Sequence, residues 1–222
     1  MAIKWATLYK YIKAEYARDA LENQRLYLSD GKFFNDPFET IVIDRKNGDI
    51  SHIKGLHILS LTNSFQNRLM WSHYAEFHKG VCLTVKVPSH LVHPICYSSK
   101  RIYTDSNVDD IILHSKIISK SNISCDFSLL NKNAKIAYIK DKKWMYKKEY
   151  RIVFCQSDET GLISDQGKWY MSVKIKNVYL GVNFDKNPSK SQEDIRRICR
   201  DNNIEITNMA LSDSDYSVKV KR

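Results

Sequence analysis

The chain has 222 residues, 43% of them hydrophobic and 27% charged, and this is enough for a sizeable core. No apolar run approaches the roughly 20 residues needed to cross a bilayer, and the first residues lack a secretory pattern, so the composition argues against a membrane protein and for a cytoplasmic one. The formal net charge of +10 raises the expectation of a polyanionic partner, against the alternative of ordinary solvated lysines.

Residues 8–12 read as a short strand. Residues 14–23 follow as a helix with Tyr16, Ala17, Ala20 and Leu21 inward, and residues 25–29 as a second strand closed by the Asp30-Gly31 turn. In Phe33-Phe-Asn-Asp-Pro-Phe-Glu39 the order of Asp36, Pro37 and Glu39 has the form of a helix start. Asn35 and Asp36 keep a second reading, as oxygen ligands in a loop between aromatic anchors. Residues 57–62 are a third strand, whose Ser60 and Thr62 hydroxyls either bond to backbone or hold a ligand.

Residues 68–80 read as a helix carrying Trp71, Tyr74 and His78 on one face and stopped by Gly80. The stripe is either a ligand wall or core packing. Residues 81–87 alternate Val81, Leu83, Val85 and Val87 with Cys82, Thr84 and Lys86, a strand with one buried and one polar face. Residues 94–98 supply another strand. Residues 109–118 and 127–138 read as helices, and 105–140 as a possible helical insertion in one domain spanning 1–222.

Glu149 and Arg151 alternate with Tyr150 and Ile152 on a strand over 149–154, so both charges project from one face. They form either a surface ion pair or a catalytic carboxylate beside a positive group. Strands at 168–173 and 175–181, a helix from Ser191 burying Ile195, Ile198 and Cys199, and strands at 203–209 and 216–220 complete the chain. The expected class is α+β, with a mixed, largely antiparallel central sheet and flanking helices.

The phosphate-loop, dinucleotide, nucleophile-elbow and zincin motifs are absent. His73 and His78 are five apart and point different ways on a helix, so no metal is expected there. Cys82, Cys96, Cys125, Cys155 and Cys199 are odd in number and contain no C-x-x-C pair, which suggests neither a disulfide framework nor a zinc knuckle.

Leu8-Tyr-Lys-Tyr11, Phe34-Asn-Asp-Pro-Phe-Glu39, Met70-Trp-Ser-His-Tyr-Ala75 with His78-Lys-Gly80, and Trp144 through Glu149-Tyr-Arg-Ile152 resemble, in order, a bacterial and phage family known only as a domain of unknown function. The order of a first polar strand, a hydroxyl-bearing strand, an aromatic helix and a later glutamate strand is also similar to the ADP-ribosyltransferase fold, including toxin branches. That second resemblance implies NAD as substrate and Glu149 as the catalytic carboxylate stabilising an oxocarbenium-like transition state. It implies Lys10 or Tyr11 in the first-strand role and Ser60 and Thr62 in the hydroxyl role. Trp71 and Tyr74 would wall the nicotinamide pocket, with Arg151 beside it. The resemblance to the unknown-function family implies a glutamate two positions before Glu149 in many members, giving the E-x-E of several transferases, where this chain has Lys147; the departure argues against protein-arginine modification and toward a nucleotide or nucleic-acid substrate, or a pocket that only binds.

The leading expectation is therefore an NAD-dependent ADP-ribosyltransferase or NAD-consuming protein of toxin or phage-defence type. DNA or RNA, or a neutralising or defence-system protein, are its expected partners. The second is a non-catalytic, basic nucleic-acid-binding protein. The third is a metal-dependent nuclease using Asp36, Glu39 and Glu149.

Overall fold

A computed structural model of the protein describes residues 3–119, 123, 126–155, 161–186 and 188–221. Cys125 and part of the connection at 119–125 lie outside them. In chain order the elements are β1 (Trp5–Ile12), α1 (Ala14–Asn23), β2 (Arg25–Leu28), β3 (Ile41–Ile43), β4 (Ile50–His52), β5 (Leu56–Thr62), α2 (Arg68–Tyr74), β6 (Val81–Pro88), β7 (His93–Pro94) and β8 (Cys96–Tyr97). They continue with α3 (Val108–Leu113), β9 (Lys116–Ile117), α4 (Lys132–Ile136), β10 (Ile139–Lys140), β11 (Glu149–Cys155), β12 (Ile163–Asp165), β13 (Lys168–Ser172), β14 (Lys174–Leu180), α5 (Lys190–Asp201), β15 (Glu205–Leu211) and β16 (Val218–Val220). The class is α+β. Eight strands share a mixed, mostly antiparallel sheet in the order β16-β15-β14-β6-β1-β5-β11-β7, and smaller ladders β10-β8-β9, β12-β13-β2 and β3-β4 accompany it. No helix among the described residues is long and apolar enough to cross a membrane.

The chain divides into two compact units. The first comprises Met1–Lys4, Tyr27–Ser60 and Ser89–Met171; the second comprises Trp5–Leu26, Leu61–Pro88 and Ser172–Arg222. The first thus includes all of the expected insertion at 105–140.

In the second unit β1 pairs antiparallel with β6 along its whole length, from Trp5 opposite Pro88 to Ile12 opposite Val81. The outer side of β6 pairs with β14, β14 runs parallel to β15 through the α5 crossover, and β16 closes the edge antiparallel to β15. Alternation decides the faces. Leu8, Leu83, Val85, Val178 and Leu180 are all fully buried. The mutually packed helices α1 and α5 turn Ala17, Leu21, Ile195, Ile198 and Cys199 inward, and α5 lies against β15. The alternate residues Tyr9, Thr84, Lys86, Asn177 and Tyr179 stay partly exposed. This agrees with the two-faced strand expected at 81–87.

The helix expected over 68–80 is a shorter element. Helix α2 starts where the Asn67 side chain accepts from the Leu69 and Met70 amides, and it ends at Tyr74. Glu76, Phe77 and His78 then take left-handed conformations, with φ of 49°, 53° and 67°. Such backbone is costly for residues with a Cβ and is held only where surroundings dictate it. Here Asn183 donates to the Phe77 carbonyl and Gln192 to the Lys79 carbonyl. Gly181 lets the turn approach, because a Cβ on it would strike the His78 carbonyl oxygen. His78 returns to stack on Trp71, ring centroids 6.2 Å apart, by a turn and not by helical period.

In the first unit the core joins Leu56 and Ile58 of β5 with Ile95, Tyr97, Ile111 and Ile136. The helices expected at 109–118 and 127–138 are short, because chain pairing ends the first early and an asparagine starts the second late. Asn107 caps α3 and Asn131 caps α4, while Lys116 and Ile117 already pair with β8 as β9. Asp36 does accept from the Phe38 amide, but only a turn follows. Thr40, at φ 54°, ends it and strand β3 begins.

Candidate nucleic-acid interface

Glu149 and Arg151, expected on one face of a strand, do share it. Arg151 Nε donates to Glu149 Oε1 at 2.7 Å. The pair lies within the protein and not at its surface, with Glu149 4% and Arg151 1% exposed. Three further side chains complete the cluster. Glu39 accepts from both Arg151 and Lys140, and Lys140 Nζ also sits 3.1 Å from Glu149 Oε2. Lys147 Nζ stands 3.9 Å from the same oxygen. Residues Lys142–Lys147 form a 3-10 stretch begun by Asp141 and stopped by Lys148 in a left-handed conformation. A three-residue turn aligns Trp144 with Lys147, whose ammonium lies 4.4 Å from the indole centroid.

Burial opposes charge on Glu149, but Arg151, Lys140 and Lys147 outweigh it and hold the carboxyl well below its ordinary range. Burial pushes the Lys140 ammonium down. Glu39 and Glu149 with Arg151, Lys140 and Lys147 form an internal cluster of ion pairs, in which Glu149 is a fixed anion and has no proton to give. Asp36 caps the turn, accepting from the Phe38 amide. Among the described residues no group of three or more histidine, cysteine or acidic side chains is placed to hold a metal ion.

The other expected site residues fall as follows. Ser60 belongs to the first unit with Glu149 and Arg151, whereas Lys10, Tyr11, Thr62, Trp71 and Tyr74 belong to the second. Within the second unit Lys10 alternates to the opposite face of β1 from Tyr9 and Tyr11. Thr62 is buried opposite Tyr9. Tyr74 is half-buried, with the His73 ring at its edge. Tyr11 and Trp71 meet edge to face at 5.1 Å, and both are buried.

Those two buried rings orient something neither periodicity nor spacing disclosed. Tyr11 Oη donates to the Ser64 carbonyl and accepts from the Asn67 amide, while Trp71 Nε1 donates to the Phe65 carbonyl at 2.8 Å. The loop between β5 and α2 is thus fixed from both ends. Phe65, at its centre, stacks flat on Tyr179 of β14, with centroids 4.1 Å apart and planes 6° from parallel. Tyr9 of β1 tilts against Phe65 at 5.4 Å and meets Tyr179 edge-on at 6.3 Å. All three rings are half-buried on the partly exposed sheet face.

One row along the same face the chemistry changes. Lys86 of β6 lies directly opposite Lys174 of β14, and a β-bulge between Ile175 and Asn177 inserts Lys176 beside them. The Lys176 ammonium is pushed below its ordinary value, first by the charge of Lys174, then by burial, with Lys86 contributing. Among the described residues none of the three takes part in an ion pair. Thr7 lies opposite Lys86, and half-exposed Trp5 lies one row further. Glu205, opposite Asn177 on the other side, is the acid felt by Tyr179. The face thus offers rings and unneutralised cations side by side.

Residues 70–152 match the family described as protein of unknown function (DUF2971). No curated protein and no solved structure matches the chain. The matched segment runs from α2 into β11, so it holds Trp71, Lys86, Lys140, Lys147, Glu149 and Arg151. It leaves out Glu39, Phe65, Lys174, Lys176 and Tyr179, and its description carries no activity. Of the lysine row only Lys86 had a legible signal, in the alternation over 81–87; Lys174 falls between the strands expected at 168–173 and 175–181, and alternation alone sets Lys176 with Val178 and Leu180, a placement that the bulge overrides. Phe65 had none, since it sits in a non-periodic connection and its position depends on partners distant in sequence.

Proposed function

We propose that the protein binds single-stranded nucleic acid on the partly exposed sheet face of its second unit. The observation that carries this is the ring cluster of Tyr9, Phe65 and Tyr179 beside Lys86, Lys174 and Lys176, none of which is ion-paired among the described residues. Aromatic faces take unpaired bases of any sequence, and lysines neutralise the phosphates that connect them. A duplex hides its base faces, so the rings favour the single strand. The net charge of +10 adds a long-range attraction for the same ligand. The test is fluorescence anisotropy with short single-stranded and duplex oligonucleotides over a range of salt. Tighter binding of the single strand, weakening with salt and weakened again in Phe65→Ala, is the expected result. Equal affinity for the duplex, or no binding at low salt, overturns the reading.

A second reading, NAD cleavage with Glu149 as the catalytic carboxylate, draws support from the neighbouring positions of the Ser60 and Glu149 strands in the sheet. Against it stands the enclosure of Glu149 by Arg151 and Lys140, which leaves no carboxylate oxygen turned to solvent. Nicotinamide release from NAD by the full chain, with and without single-stranded DNA or RNA, tests it directly. Absence of release under every condition removes NAD chemistry.

A further inference from the structure

Like charges set directly opposite across an antiparallel pair destabilise it, yet Lys86 faces Lys174 and the bulge brings Lys176 onto the same spot. The Lys174 charge lies close enough to Lys176 to push the Lys176 ammonium below its ordinary value. Three cations converging on one place are poorly matched to the interior of a strand, where each phosphodiester carries a single charge and the next is a nucleotide away. A phosphate monoester carries up to about two negative charges at neutral pH and three acceptor oxygens. The ring cluster begins one row away, a step of two strand residues or roughly 7 Å, where the base attached to that phosphate would lie. From this convergence, and resting on the nucleic-acid reading above, we propose that the lysine row is a site for a terminal phosphate monoester. The protein then holds the end of a single strand, with its first bases on Tyr179 and Phe65.

The site distinguishes ends by charge, so the experiment varies the end alone. The full-length protein is titrated with one short single-stranded sequence carrying a 5′-phosphate, a 3′-phosphate or hydroxyls at both ends. One phosphorylated form should bind on the order of tenfold tighter than the hydroxyl-ended form, the effect of one added charge-assisted hydrogen bond. Which of the two gains identifies the polarity of the strand on the sheet. The ratio between the phosphorylated and the hydroxyl-ended forms should fall to one in the Lys174→Gln, Lys176→Gln double variant, whose affinity for all three oligonucleotides is lowered. Equal affinity of the three oligonucleotides for the unaltered protein overturns the end site and leaves single-strand binding standing. Persistence of the advantage in the double variant also overturns it. Failure of every oligonucleotide to bind overturns both readings together.

Discussion

The two units handle charge in opposite ways. In the first, Glu39 and Glu149 are withdrawn from water together with Arg151, Lys140 and Lys147, and the carboxylates are answered by cations within ion-pair distance. In the second, Lys86, Lys174 and Lys176 are gathered at the sheet surface with no acid paired to them among the described residues. A buried ionic cluster must be complete, since desolvation is recovered only through its internal contacts. A surface cluster of one sign costs folding free energy and gains nothing until an anion arrives. The difference separates charge that fixes structure from charge that waits for a ligand, and it can be broken from either side.

The largest effect should come from opening the internal cluster. Glu39→Gln leaves Arg151 and Lys140 short of a charge at a site nearly closed to solvent, and should cost about 3–5 kcal/mol in urea unfolding. Lys86→Gln, which relieves repulsion, should leave stability unchanged or slightly raised. Equal small effects of the two would erase the contrast. Acid tests the same cluster without mutation. The Glu149 carboxyl is held well below its ordinary range in the folded protein, so the unfolded chain takes up the proton first. The stability it contributes is present above the ordinary carboxylate range near 4.5 and is lost as pH falls through the lower folded value. A pH series of unfolding midpoints should show this loss in the parent and a flatter profile in Glu149→Gln.

Next in size are the rings. Tyr179→Ala should weaken single-strand binding by about 1–3 kcal/mol, the worth of one stacked base. Its thermal midpoint should move little, because the ring is half-exposed. Lys86→Gln should act differently, lowering the slope of log affinity against log salt by about 0.7, one phosphate contact on a single strand. Identical losses for both variants at every salt would mean that rings and lysines do not divide the work.

Most of the sheet was legible because alternation survives the absence of tertiary information. Residues 81–87 and 149–154 form the strands expected, and Arg151 does meet Glu149. What alternation cannot supply is the far partner. Glu39 read as a helix-start residue and Lys140 drew no reading of its own, yet the two meet across about a hundred residues of chain. Helix length failed for a related reason. The stripe from Trp71 to His78 is compatible with a helix, but Gly181, Asn183 and Gln192, remote in sequence, hold the chain in a left-handed turn instead. The ring platform was hidden by the same logic, since Phe65 is placed by the hydroxyl of Tyr11 and the indole of Trp71.

That dependence gives the smallest and most specific expectation. Ser72 Oγ donates to the Arg68 carbonyl, so the 3.2 Å contact between His78 Nε2 and Ser72 Oγ requires the histidine to donate. Nδ1 is then a bare acceptor, buried and without a hydrogen-bond partner among the described residues. Burial, and secondarily the charge of Arg68, lowers the His78 pKa from 6.5. The unfolded chain therefore binds the proton before the folded one does, and the stability gained from neutral His78 is present above pH 6.5 and lost as pH falls below it. Protonation would put an N–H where no acceptor waits and loosen the stack on Trp71, whose indole anchors Phe65. Thermal midpoint and single-strand affinity should decline together below pH 6.5. In His78→Gln, which keeps a donor toward Ser72 but cannot titrate in this range, both declines should be shallower. A decline in affinity unchanged by that substitution would place the pH response elsewhere and disconnect the strained turn from the ring platform.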